Sequence, residues 1–147
     1  MPTSRGVVPQ RRVAGFGADA LLDQLEEARR APDDVPCVVF RSLVFKAGTT
    51  VFAPRSRAEI EAIAKALSAV PAHRIEIGSR LGPGRPMASD VLLRSERARV
   101  VRLGLIGLGV APDRMLLDPG EAYERVAEDV ARASGGRAQS IGVCVHN

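Results

Sequence analysis

The stretch Leu93-Arg94-Ser95-Glu96-Arg97-Ala98-Arg99-Val100-Val101-Arg102-Leu103-Gly104-Leu105 decides how the rest of the chain is read. Its apolar residues recur at helical spacing, so that Leu93, Ala98, Val101, Leu105 and Leu108 can align as one buried stripe. Arg97 stands one helical step from Ala98, at the edge of that stripe, where a guanidinium can meet an anion. Ser89 or Asp90 is suited to cap the start of this helix, and Gly109 to close it in the left-handed conformation.

Working outward, residues 1–15 carry no periodicity and hold Gly, Pro and Arg, which predicts a flexible leader. Residues 16–31 contain an amphipathic helix with Leu21, Leu22, Leu25 and Ala28 on one face, stopping before Pro32. Its two roles, packing on a sheet edge or docking to a protein partner through residues 16–30, are left open. Val35 to Lys46 is an apolar, β-branched run suited to a buried strand. Ser56 and Glu59 are spaced as a capping box for a helix that shares Ile60, Ile63, Ala64 and Leu67 on one face and ends before Pro71. Arg74 to Ile77 alternates as a half-buried strand does. Gly78 to Asp90, with Gly82, Pro83, Gly84 and Pro86, predicts a loop. A short strand at Met115–Leu117, a helix opened by Asp118-Pro119-Gly120-Glu121 and a closing strand at Ser140–Val145 complete the pattern.

This alternation of helices and strands predicts an α/β sandwich, helices against a sheet. At 147 residues, 46% hydrophobic, the chain is one domain with its own core. With no Trp, one Tyr and four Phe, that core must be built from Leu, Val, Ile and Ala. The net charge of +4 is carried mostly by arginine, which keeps a polyanionic partner in view, although most of these arginines share helix faces with Glu and Asp.

Several blocks together resemble the OmpA-like, peptidoglycan-associating domain family. Leu93, Arg97, Ala98, Val101 and Leu105 match its L-S-x-x-R-A-x-x-V-x-x-x-L pattern, with Arg94 in place of the serine. Leu43-Val44-Phe45 looks like its opening strand, Arg74-Ile75-Glu76-Ile77-Gly78 like its strand ending in G-H-T-D, and Gly109-Val110-Ala111-Pro112-Asp113-Arg114 like its G-I-x-x-x-R turn. The blocks fall in order from about Ser42 to Val145, within an expected domain of residues 35–147. The resemblance implies a two-layer sandwich of helices on a mixed four-stranded sheet and a non-catalytic domain of the bacterial envelope, in the periplasm or at the outer membrane. It also implies non-covalent binding of a peptidoglycan peptide stem, with Arg97 receiving a carboxylate and Gly78, Ser79, Arg80, Gly84 and Asp90 around it. One departure bears on this. Leu81 stands where the family has the aspartate that receives the stem's ammonium, and leucine can accept no hydrogen bond. The alternative is therefore a degenerate member acting as a protein-interaction scaffold.

Nothing in the pattern supplies a catalytic set. His73 and His146, the only histidines, adjoin no nucleophile motif, His73 reads as a surface residue and His146 as a frayed end, and no metal or cofactor site is expected. Gly15-Phe16-Gly17 lacks a preceding strand and the third glycine of a nucleotide fingerprint, and Gly82-Pro83-Gly84 lacks the lysine of a phosphate loop. Nucleic acid is not expected either, because the arginine-rich segment carries no stacking aromatics. No apolar run approaches the ~18 residues of a membrane span, and residues 1–12 lack the apolar stretch of a secretory leader. Envelope location thus comes from the resemblance alone, and reuse in the cytoplasm stays open. Cys37 and Cys144 bear on the same question: if their strands are antiparallel neighbours they can bridge, implying an oxidising compartment, and otherwise they are small buried hydrophobes.

Overall fold

The computed structural model describes residues 11–28, 35–80, 88–117 and 140–146. Strands β1 (Arg11–Phe16), β2 (Val35–Phe40), β3 (Arg74–Arg80), β4 (Met115–Leu117) and β5 (Ser140–His146) form one sheet in the order β1-β2-β5-β3-β4. Strand β1 runs parallel to β2, and β3 to β4, while β5 lies between the two pairs, antiparallel to both β2 and β3. Helices α1 (Gly17–Glu27), α2 (Ser56–Ala69) and α3 (Ala88–Gly107) pack on this mixed sheet. The expected α/β sandwich is present, with five strands rather than four.

The additional strand comes from the segment read as leader. Residues 11–16 pair with β2 through a register irregularity between Val13 and Gly15. Two arginines and a glycine conceal any alternation, and strand formation here depends on pairing with the wholly buried β2. Gly15 is required where β1 turns into α1: at φ 154° a Cβ would stand 2.8 Å from the Cβ of Ala20. Residues 1–10 of the expected leader, like the expected helix with Tyr123, Val126, Ala127 and Val130, lie outside the described residues.

Because side chains alternate along a strand, the sheet has two chemically distinct faces. Val38, Phe40, Ile75, Ile77, Ile141, Val143 and Val145 face the helices and join Leu21, Leu25, Ile60, Ile63, Leu67, Val101 and Leu105 in a single core. Helix α1 is therefore part of the domain rather than an accessory beside it. Leu21 and Leu25 are fully buried, so the apolar face that could have docked to a partner is occupied internally. On the opposite face Val35, Cys37 and Cys144 form a second cluster against Val13. Cys37 and Cys144 are opposed in the β2–β5 register, with Cα atoms 4.0 Å apart, and are joined by a disulfide.

Two local expectations are corrected. Strand β2 stops at Phe40 instead of reaching Lys46, and residues 41–53 form a loop closed by a bridge between Phe45 and Phe52, whose rings stack at 4.8 Å. The Ser56–Glu59 capping box is not made, because the fully buried Ser56 hydroxyl is spent on that loop: it accepts the Val44 N–H at 2.8 Å and donates to the Val44 carbonyl at 2.7 Å. Helix α3 does end as expected. Gly109 takes φ 97°, its N–H reaches the Ile106 carbonyl and the Val110 N–H reaches the Leu105 carbonyl, the paired bonds of a Schellman closure.

Freed from capping, Glu59 sits where α2 meets α1. Burial raises its pKa above the ordinary 4.5, and the nearby carboxylate of Asp19 raises it further. The folded state thus holds the Glu59 proton more tightly than the unfolded chain does. Stability from this group is present below pH 4.5 and is lost as pH rises through the folded-state value. Glu59→Gln is expected to be more stable than the parent at pH 7 and to show a flatter stability profile above pH 4.5, measured by urea unfolding across pH. A variant destabilised at pH 7 would contradict this assignment.

Candidate functional site

Of the residues expected to form a ligand pocket, Gly78 and Ser79 lie toward the end of β3 and Arg97 lies on α3. Gly78 and Ser79 lie in β3, not in a loop: the antiparallel register with β5 continues through Gly78↔Gly142, Ser79↔Ile141 and Arg80↔Ser140. Both are buried, and the Ser79 hydroxyl, in a residue only 5% exposed, has no hydrogen-bond partner among the described residues, an uncommon arrangement for a buried polar atom. Arg80 ends the strand and Asp90 lies in the first turn of α3, but their side chains, together with Leu81 and Gly84, fall outside the described residues.

Arg97 decides what this arrangement can do. The stripe of α3 that meets the sheet is Arg94, Ala98, Val101 and Leu105, whereas Leu93 is half-buried and Leu108, already past the helix end, is exposed. Arg97 flanks this stripe and is itself only 2% exposed. Its Nε donates to the Thr49 carbonyl at 2.9 Å, its Nη2 to the Lys46 carbonyl at 3.4 Å, and its Cζ lies 4.9 Å from the centroid of the Phe45 ring. Desolvation lowers its pKa, yet a guanidinium keeps its charge at neutral pH. Among the described residues carbonyl dipoles and an aromatic face meet the positive charge, so Arg97 ties α3 to the 41–53 loop.

The neighbouring arginines follow the same logic. Arg94 is 8% exposed. Arg102 donates through Nε to the Met115 carbonyl at 3.1 Å and through Nη2 to that of Pro112 at 2.9 Å, fastening α3 to the 3-10 turn Pro112–Arg114 and to β4. Arg99 points outward, but toward Glu96 at 3.7 Å. Two of the arginines of α3, Arg97 and Arg102, are thus tied to backbone oxygens.

Arg114, matched by sequence only to a turn, is the most heavily engaged of all. Its guanidinium donates to the carbonyls of Leu67 at 2.5 Å, Val70 at 2.7 Å and His73 at 2.9 and 3.1 Å. These include acceptors at the C-terminal end of α2, which a helix cannot satisfy itself and where a cation also meets the favourable end of the helix dipole. Burial lowers the Arg114 pKa, and Asp113 partly offsets that. His73, expected at the surface, is 5% exposed because Arg114 draws its backbone inward. His146, expected at a frayed end, closes β5 with Nε2 3.6 Å from a Glu76 oxygen.

A separate open groove of about 520 Å³ lies between α2 and the end of α3, floored by Phe52, Pro54, Ile60 and Leu108 with Arg57 and Glu61 beside it. Among the described residues no cluster of His, Cys, Asp or Glu stands where it could hold a metal ion, and no helix is long and apolar enough to cross a membrane.

No protein-family model and no curated protein matches the sequence. Solved structures do match. The periplasmic domain of Helicobacter pylori MotB superposes with a TM-score of 0.58 at 17% identity, over 77% of this chain and 81% of that one. The OmpA-like domain of FopA1 from Francisella tularensis gives 0.54 at 10% identity, over 71% and 70%. At such identities the likeness is one of fold.

Proposed function

We propose that the OmpA-like fold of this chain serves the bacterial envelope as a non-catalytic interaction domain in which the family's carboxylate clasp has become an internal tie. The observation that carries this reading is the burial of Arg97 on the carbonyls of Thr49 and Lys46. A stem-peptide carboxylate would have to displace the 46–49 turn to reach it, and Leu81 offers nothing to the ammonium of the same ligand. The buried disulfide suits an oxidising compartment such as the periplasm, as does likeness in fold to a periplasmic domain. With Leu21 and Leu25 of α1 buried in the core, the groove at Phe52, Ile60 and Leu108 is an apolar surface open to a partner.

A second reading, non-covalent binding of peptidoglycan through the stem carboxylate, is favoured by one specific observation. The Ser79 hydroxyl is buried without a partner among the described residues, toward the end of β3, as a polar group reserved for a ligand would be.

Retention on purified sacculi separates the two. The scaffold reading expects the parent, Arg97→Ala and Leu81→Asp to be retained equally and only at background. Retention of the parent that is lost in Arg97→Ala and strengthened in Leu81→Asp would establish the wall ligand instead.

A further inference from the structure

The two cysteines stand 107 residues apart in sequence, and their sulfurs are enclosed in the finished fold: Cys37 is 0% and Cys144 1% exposed. They lie on strands in the interior of the sheet, with β1 outside β2 and β3 outside β5, and Val35 and Val13 pack over them. Thiol–disulfide exchange requires an outside sulfur to approach a protein sulfur directly. The native sheet offers no such approach at either end of the bond.

We infer that the Cys37–Cys144 bond is made before the β2–β5 ladder closes, so that the chain is a client of an external disulfide oxidant during folding and is redox-inert afterwards. The step balances as two exchanges. One cysteine thiolate attacks the oxidant's disulfide and expels a thiolate, and the second cysteine thiolate attacks the resulting mixed disulfide and expels the other. The protein gains one S–S bond, the oxidant becomes two thiols, and the protons of the protein thiols pass to the expelled thiolates through solvent. Because β2 and β5 are remote in sequence, this pairing waits until both strands are available, so oxidation acts on a chain that holds both strands but has not yet packed them. The inference is independent of which partner the domain binds.

Two measurements test it, both read as the shift produced by a polyethylene-glycol maleimide on gels. In the first, the oxidised protein is held in millimolar dithiothreitol with and without 6 M guanidinium. The expected result is complete reduction within minutes in denaturant and at least 100-fold slower reduction without it, at a rate that stops rising with reductant concentration once unfolding is limiting. Rapid native reduction proportional to dithiothreitol would overturn the proposal. In the second, the reduced, denatured chain is diluted into buffer with oxidised glutathione added at once or after the circular dichroism signal settles. Delayed addition is expected to slow bond formation at least 10-fold if the native signal has returned. Failure of the signal to return without oxidant would also place oxidation before packing. A reduced chain that folds and then oxidises as fast as the unfolded one would overturn it.

Discussion

Replacing Cys37 and Cys144 together by alanine is expected to cost up to about 5 kcal/mol of stability, the loop-entropy value for a bond that closes about a hundred residues. The bond links β2, and with it β1 and α1, to β5, and so joins the first part of the domain to the strand that completes the sheet. Without it, ordering must close the same long loop using only four β2–β5 pairs and the core contacts on one face. Guanidinium unfolding should show a lower midpoint with an unchanged or larger slope, since the unfolded chain is freed. Measured values commonly fall short of the loop-entropy figure because native strain and residual structure intervene. A loss under about 1 kcal/mol would mean that strand register alone carries the closure.

Elements set by their own side-chain pattern were readable in the sequence. Helix α2, with Ile60, Ile63, Ala64 and Leu67 on its buried face, is one, and the end of α3 at Gly109 is another, because a left-handed residue is a local requirement. Elements set by distant partners were not readable. Strand β1 exists because β2 accepts it, and β3 runs on through Gly78, Ser79 and Arg80 because β5 supplies a register for all three. In both places local composition argued for loop, and tertiary pairing prevailed.

The candidate site shows the same division more sharply. The spacing of Arg97 and Ala98 correctly put a guanidinium beside the apolar stripe of α3, but its acceptors are backbone oxygens of Lys46 and Thr49, 51 and 48 residues away. Carbonyl acceptors carry no residue signature, so a sequence cannot tell an arginine that waits for a ligand from one that a loop already occupies. The same blindness hid Arg114, whose partners are the carbonyls of Leu67, Val70 and His73. A signal did exist there: a helix stopping before Pro71 leaves carbonyls unsatisfied, and a cation from elsewhere in the fold is a common way to satisfy them.

Arg97→Ala should therefore act first on stability. The substitution strips the buried guanidinium's bonds from the Thr49 and Lys46 carbonyls and removes the cation from the face of Phe45. Losing charge-assisted bonds from a buried donor is expected to cost about 2 to 4 kcal/mol. Arg97→Lys keeps a charge but not the planar fork that reaches two carbonyls at once, so it should fall between the parent and alanine. The local consequence is as telling as the global one. The 46–51 turn is otherwise held by the Thr49 N–H to the Lys46 carbonyl at 3.0 Å and the Lys46 N–H to the Val51 carbonyl at 2.9 Å. Amide exchange at Lys46 and Thr49 should accelerate in both variants more than exchange in β3 or β5, because the tie to α3 is what keeps the turn closed. If instead Arg97→Ala unfolds within about 0.5 kcal/mol of the parent and leaves those amides unchanged, the guanidinium is not a structural tie, and its charge must be kept for a guest carboxylate.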